Sequence, residues 1–397
     1  MINLAAKEIS HSWFRYVLTA IGLGLLIGVT LTMTGLVRGM MDDAIALIQG
    51  TNADLWVVQN DTMGPYAESS TLYDDVYRNI ASLPGVAEVS NVAYLTLQAR
   101  YGNTDVRVLV AGFNHNRPGE PPYLIAGRPI TKDHYEAIAD IKTGFKVGDK
   151  LGIRRDEYTV VGLTNRMVSS GGDPVVFITM QDAQIVQFQK DNTSIYNDRK
   201  RLAANPQLNR PGAPGLLQSV TTWQQSNNKV NAVLVRIAPG YDASSVADTI
   251  QRWKHFKVYT YEQMTKILQE KVIANALRQL GLFMLILAIV STAIIALIIY
   301  TMTMSKIKEI AVLKLIGAKN STIAGMILQE AWGLGIIGFI VGKISATLWA
   351  PLFPKHIEFI FTDTIIAFFF TLFICTLASI IGIRAALKVQ PASAMGG

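Results

Sequence analysis

The sequence predicts a membrane α-helical protein: four transmembrane helices, with a large α+β extracytoplasmic domain inserted between helices 1 and 2. Three observations carry that reading. Only 16% of the 397 residues are charged, against about 25% in an ordinary soluble domain, and mean hydropathy is +0.29. The apolar residues gather into four long runs, one near the start and three in the last third. Between the first and second runs lies a polar block close to neutrality. Residues 42–270 hold 23 basic and 24 acidic side chains out of 36 and 29, so the net charge of +7 is generated outside it. Basic residues concentrated in short segments beside apolar runs are the pattern of cytoplasmic loops. A nucleic-acid groove is not expected.

Taken in order, residues 1–15 put Ile2, Ala5, Ala6, Ile9 and Trp13 on one helical face, with Asn3, Lys7 and Ser10 opposite. That suits an amphipathic helix lying in the inner interface. Crossing roughly 30 Å of hydrocarbon takes about 20 apolar residues. Tyr16–Val37 offers 22 residues without charge, Gln279–Ser305 27 and Thr364–Ile383 20, while Ile323–Leu352 is apolar but carries Glu330 and Lys343. The expected boundaries are spans at 16–41, 271–304, 322–352 and 363–384. A loop or short helix at 305–321, an outer loop at 353–362 and a tail at 385–397 complete the layout. The first run exceeds a signal peptide's apolar core, and Arg38-Gly-Met-Met-Asp-Asp43 lacks a small-x-small cleavage pattern, so it reads as an uncleaved anchor. Lys306, Lys308, Lys314 and Lys319 against Glu309 mark the middle loop as cytoplasmic. Lys7 and Arg15 do the same for the start, Arg384 and Lys388 for the end. The expected location is a bacterial cytoplasmic (inner) membrane, both termini inside and residues 42–270 outside.

In the polar block, Leu55–Val58, Val106–Val110, Tyr158–Gly162, Val175–Thr179 and Ala232–Ile237 read as strands, and Asp74–Ser82 and Ser244–Trp253 as helices. An α+β domain, in one or two lobes, follows. Asn192–Val230, with Pro206, Pro211, Pro214 and the basic run Arg199–Arg201, reads as a mobile surface loop.

Catalytic and metal chemistry is not expected. There is no phosphate-binding G-x-x-x-x-G-K-[ST] string; Gly338-Phe-Ile-Val-Gly342-Lys343 has the wrong spacing. The histidines (His11, His115, His134, His255, His356) are scattered and Cys375 is the single cysteine, so neither a zinc site nor an intrachain disulfide is expected. Asp133-His134-Tyr135-Glu136 reads as a solvated turn, and Ser169-Ser170-Gly171-Gly172 as a hairpin turn rather than a nucleophile.

Several strings resemble those of the FtsX/MacB-type permeases of ABC transporters. They are Asn3–Ile9 running into the first span, Ile80-Ala-Ser-Leu-Pro-Gly-Val86 with Val89-Ser90, Gly127-Arg128, and Val147-Gly148-Asp149 with Tyr158–Gly162. The most specific is Lys308-Glu-Ile-Ala-Val-Leu-Lys-Leu-Ile-Gly-Ala318 between spans two and three, and Arg384–Ala394 resembles the family's tail. The ATPase fused to MacB itself is absent, so the layout is similar to permease-only members such as DevC, HrtB or LolC/LolE. The resemblance implies a non-enzymatic permease with no cofactor of its own, ATP and Mg being bound by a partner. Two copies of a cytoplasmic ABC ATPase and a second permease copy, identical or homologous, are the implied partners. Membrane lipids are expected around the spans, and a periplasmic adaptor is left open. ATP-driven closure would move the outer domain and extrude a substrate from the outer side of the membrane. Alternatives are FtsX-type signalling to an external cell-wall hydrolase and, from another class, a membrane ligand sensor.

The same resemblance places ATPase coupling on Lys308, Glu309, Ile310, Ala311, Lys314, Gly317 and Ala318. A basic loop held on anionic lipid is the plainer alternative. On a projection Ile307, Ala311 and Leu315 share one side and Glu309, Leu313 and Ile316 the other. Gly24-x-x-x-Gly28 and Gly338-x-x-x-Gly342 allow close helix approach. The first pair is expected between two copies, the second within one. Glu330 and Lys343 are charges at membrane depth, costly unless paired or snorkelled. At 13 residues, about 20 Å, apart they cannot pair with each other. Glu330 is expected near the inner interface and Lys343 snorkelling outward, with a substrate contact as its alternative.

Overall fold

The computed structural model describes residues 13–388 except 103, 189–191, 208–215, 217–218, 220–227, 255 and 354. Most of the expected N-terminal amphipathic segment, the end of the tail and much of the 192–230 segment therefore lie outside the described residues. The chain divides into two compact units, with boundaries between Met40 and Met41 and between Ala274 and Asn275.

The unit of residues 41–274 is built on one mixed sheet. In chain order its strands are β1 (Leu55–Val58), β3 (Val86–Tyr101), β4 (Thr104–Phe113), β5 (Ala126–Gly127), β6 (Glu136–Asp140), β7 (Lys150–Ile153), β8 (Asp156–Thr164), β9 (Val175–Thr179), β11 (Ala232–Ile237) and β12 (Lys257–Thr260). Short β2 (Leu72–Tyr73) and β10 (Lys229–Val230) pair separately. The order is β12-β1-β11-β3-β4-β9-β6-β8-β5, with β7 pairing β3 and β8. Strand β3 joins both halves of the order into one sheet: Val86–Val92 pairs β11, and Ala93–Tyr101 continues onto β4.

Side chains alternate across a strand, and both faces here are covered. Leu55 and Val57 enter one apolar core while Trp56 and Val58 enter the other; Val233 and Leu234, or Val176 and Phe177, divide the same way. This explains why these strands read as unbroken apolar runs. The expected strands are all present, as are helices at Val76–Ala81 and Ala243–Lys254.

Two expectations change. The 192–230 segment opens with a helix, Asn192–Ala203, not a loop; the prolines that argued for a loop all lie beyond it. And Asp133–Glu136 is only partly a turn: Tyr135 has a positive φ, but Glu136 is a buried first residue of β6.

Among the described residues, four helices are long and apolar enough to cross a membrane, at Val17–Gly50, Ala274–Ser305, Asn320–Leu352 and Phe361–Arg384, the third having the lowest mean hydropathy, 1.6; most of their length lies in the other unit. We label the transmembrane helices h1 (Trp13–Gly50), h2 (Ala274–Ser305), h3 (Asn320–Trp349) and h4 (Phe361–Lys388). Gly24 and Gly28 do not face a second copy as expected, because they meet h3 of the same chain. A Cβ on Gly342 would stand 2.7 Å from the Gly24 carbonyl oxygen, and one on Gly28 would stand 2.9 Å from that of Gly342. Two four-spaced glycine pairs thus let h1 and h3 pack backbone to backbone. At the other end of h1, Gly35 and Gly39 receive the loop before h4: Glu358 N–H donates to the Gly35 carbonyl at 3.1 Å, and any side chain on Gly39 would overlap the His356 carbonyl.

Candidate functional site in the helix between the second and third spans

The string most specific to the resemblance folds as a short helix, hC (Ile307–Leu315), between h2 and h3. Its C-terminus is closed as a Schellman motif. Ala318 N–H donates to the Leu313 carbonyl at 3.0 Å, Gly317 N–H donates to that of Lys314 at 3.1 Å, and Gly317 has a φ of +94°.

The faces of hC differ from the projection made on the sequence. Ile310 and Ala311 are fully buried, and Ile310 shares an apolar core with Ile323 and Ile327 of h3 and Ala386 of h4. Lys314 is half-buried, and its Nζ donates to the carbonyls of Leu387 at 2.9 Å and Ala386 at 3.3 Å. It neutralises the negative end of h4 as a cation at a helix C-terminus does. Of the residues expected to face an ATPase, Ile310 and Lys314 instead fasten hC to its own chain, and Ala311 is buried.

Exposed on hC are Lys308, Val312 and Leu315, at spacings of four and three that keep them on one helical side, followed by Ile316 at its C-terminal end and by Lys319 in the connection to h3. Ile316 is 79% exposed and Leu315 57%. Glu309 and Gly317 are exposed too, and Ala318 is partly covered. The apolar trio Val312, Leu315 and Ile316 was missed because the string was projected as a regular helix through Ile316, where the chain is already leaving it. The signal available was the 308-312-315 spacing, which puts Lys308, Val312 and Leu315 on one side of the helix.

The start of hC is tied to h3. Lys306 forms an ion pair with Glu330, and both side chains are nearly inaccessible, at 11% and 7%. The pairing partner of the first intramembrane charge is therefore a lysine from the preceding connection. Lys343 lies elsewhere: its Nζ is 3.3 Å from Thr364 Oγ1 and 4.4 Å from the centroid of the Phe359 ring.

The outer-block groups considered for chemistry have structural partners. A cavity of about 480 Å³ is bordered by Tyr66, Tyr94, Ser169 and Arg107. Trp56 Nε1 donates to the Tyr66 hydroxyl at 3.0 Å, and the Tyr66 and Tyr94 hydroxyls lie 3.2 Å apart. Burial pushes the Tyr66 phenol up to about 12, so it stays protonated. Ser169 Oγ accepts from Asp173 N–H at 3.1 Å, and Arg107 pairs with Asp173; Ser169–Gly172 is a turn closed by Gly172 N–H to the Ser169 carbonyl. Among the described residues no group of three or more His, Cys, Asp or Glu side chains could hold a metal ion.

Four spans, an inserted mixed-sheet domain and a capped helix between the second and third spans define a class of membrane permease. The MacB-like periplasmic core domain matches residues 16–253 and the FtsX-like permease C-terminal domain residues 281–391. The chain belongs to the FtsX/MacB-type ABC transporter permeases. It is 23% identical, over 100% of both chains, to an uncharacterized ABC transporter permease of Mycobacterium tuberculosis strain H37Rv. It is 22% identical to HrtB of Staphylococcus haemolyticus, a permease protein named for a hemin transport system, over 100% of this chain and 99% of that one. Among solved structures, the extracellular domain of the noncanonic ABC-type transporter YknZ from Gram-positive bacteria is similar at 13% identity and a TM-score of 0.33, covering 52% of this chain and 99% of that one.

Proposed function

We propose that this chain is the permease of an ABC exporter whose ATPase is a separate subunit docking on hC. The single observation that carries the reading is the outward ridge of Val312, Leu315 and Ile316 flanked by Lys308 and Lys319. An apolar helix face bordered by charge fits a groove on a partner. The opposite face is fastened to h3 through Glu330 and to h4 through its terminal carbonyls. A push on the ridge therefore acts on two spans rather than on a loose loop. Two permeases and two ATPases would assemble, with both termini and hC inside. ATP-driven closure would move the domain between h1 and h2 and extrude a substrate from the outer side of the membrane.

The test is co-purification of the full-length permease with the ATPase encoded beside it. Leu315→Glu combined with Ile316→Glu puts two acids on the ridge without touching the buried face. Wild-type permease should retain the ATPase and stimulate its hydrolysis; the double variant should express normally and lose both. Undiminished binding by the double variant would overturn the docking site. Cysteine labelling from outside at Ser170 but not Ser305 is the expected topology, and the reverse would overturn the orientation.

A further inference from the structure

Two charged side chains, Glu330 and Lys343, stand inside the apolar runs, and Arg38 and Asp363 border the first and last of them. Three are answered by opposite charge. Arg38 grips Asp363 with two hydrogen bonds, of 2.7 and 3.0 Å, and Glu330 is held by Lys306. Lys343 has no oppositely charged partner among the described residues. Its ammonium, with three N–H donors, meets one hydroxyl, Thr364 Oγ1, which is itself 3.1 Å from the Ile360 carbonyl. It also lies over the Phe359 ring. Neither neighbour supplies a negative charge, and the nearest carboxylate along h4, Asp363, is engaged by Arg38. A charge at membrane depth is costly when unanswered.

The surroundings specify what would answer it. Ile340 and Ile336 precede Lys343 by three and seven residues, so they share its side of h3. They are 53% and 39% exposed. Ile344, next to Lys343, is 55% exposed. An apolar track thus leads along the helix to a cation that has a ring and a hydroxyl beside it. We infer that Lys343, Thr364 and Phe359 form the head-group site for an acidic amphiphile, whose hydrocarbon lies along Ile336, Ile340 and Ile344. Its phosphate or carboxylate accepts from the Lys343 ammonium. That this amphiphile is also the transported molecule rests on the export reading above; the binding itself does not.

The experiment contains no ATPase or nucleotide, so its failure is separable from failure of that reading. Full-length permease in detergent is presented to native mass spectrometry with phosphatidylglycerol or phosphatidylcholine of the same acyl chains. Wild type and Lys343→Arg should retain phosphatidylglycerol preferentially. Lys343→Met and Lys343→Gln should lose that preference about tenfold, as expected for removing one partly desolvated charge partner. Unchanged phosphatidylcholine retention reports that each variant is folded. Oleate is then added in competition. Displacement of phosphatidylglycerol assigns the site to any acidic amphiphile, and resistance assigns it to the phospholipid head group; both uphold the acidic head. Equal retention of the two phospholipids by wild type, or an undiminished phosphatidylglycerol preference in Lys343→Met, overturns the inference.

Discussion

Glu330 in the membrane unit and Glu136 in the 41–274 unit are both buried carboxylates, 6% and 4% exposed, and they are answered by different means. Glu330 is met by the ammonium of Lys306. Glu136 takes a bidentate guanidinium from Arg128, at 2.6 and 3.0 Å. It also accepts the backbone N–H groups of Thr131 and Lys132, at 2.9 and 3.2 Å. Asp140, in the same unit, accepts from Lys142 and Met167 N–H. In a helix the backbone donors are spent on the carbonyls four residues back, and lipid supplies none. A carboxylate inside a span must therefore recruit a side-chain donor. Turns leave N–H groups over, so a carboxylate in a sheet domain can lean on them. The membrane unit accordingly stakes more on each individual ion pair.

The largest expected effect follows from that dependence. Lys306→Met leaves the Glu330 carboxylate buried without its cation, which costs about 3–5 kcal/mol where such pairs have been broken. Lys306→Met combined with Glu330→Leu should recover most of the loss, because two apolar groups need no partner. The measurement is the denaturant midpoint of the full-length permease in detergent. If the single and double variants were equally unstable, the pair would not be what holds hC to h3.

Next in size is the h1–h3 contact. Gly342→Val places a branched side chain where even a Cβ would be 2.7 Å from a backbone oxygen. Forced separation of packed elements costs about 1–3 kcal/mol. Gly22→Val is the control, since nothing lies within 4 Å of a Cβ there. Thermal unfolding should show a clear loss for Gly342→Val and almost none for Gly22→Val.

The third concerns Glu136, whose carboxyl is held down to about 2 by the Arg128 guanidinium first, and also by the Thr131 and Lys132 amides. Because the folded value lies below the ordinary 4.5, its stabilisation is complete above that value. It is lost as pH falls from 4.5 toward about 2. Arg128→Leu removes the main cause, so the gap in melting temperature between wild type and variant should narrow over that acid range. A gap constant down to pH 3 would contradict the linkage.

How much was legible before folding follows the same division. Spans and two-sided strands are written in composition, since each needs only a run of apolar residues of the right length. Strand β3 was not anticipated as one element because Glu88, Ser90 and Asn91 interrupt it, and it changes partner between Val92 and Ala93. At the candidate site the location of hC was legible from the Lys308–Ala318 string, but its facing was not. Whether Lys314 points to a partner or to the end of h4 is decided by where h4 ends, some seventy residues later. The Gly24 and Gly28 contact has the same character: small residues announce a close approach without naming the surface that approaches. Glu330 and Lys343 were recognised as anomalies of composition, but the partner of one lies in a connection 24 residues earlier.

The smallest expected effect sits at a loop that tests whether backbone donors really relieve the outer carboxylates. Asp182, buried at the start of the helix Met180–Phe188, accepts from Tyr135 N–H at 3.0 Å and meets His134 Nδ1 at 2.6 Å. The Asp182 contact raises the pKa of His134 above the usual 6.5, chiefly through that hydrogen bond. A raised folded value means the pair's contribution is fully present below 6.5 and is lost as pH rises through the folded value. His134 is 47% exposed, so the charge interaction is screened and amounts to under about 1 kcal/mol. His134→Gln should therefore lower the melting temperature slightly at pH 6 and hardly at all at pH 9. Asp182→Asn should cost more than His134→Gln at both pH values, because it weakens the acceptor that holds Tyr135 N–H in its positive-φ turn. If His134→Gln were the more damaging at pH 9, the histidine rather than the backbone donor would be what Asp182 depends on. The contrast between the two units would then fail at the place where it is easiest to see.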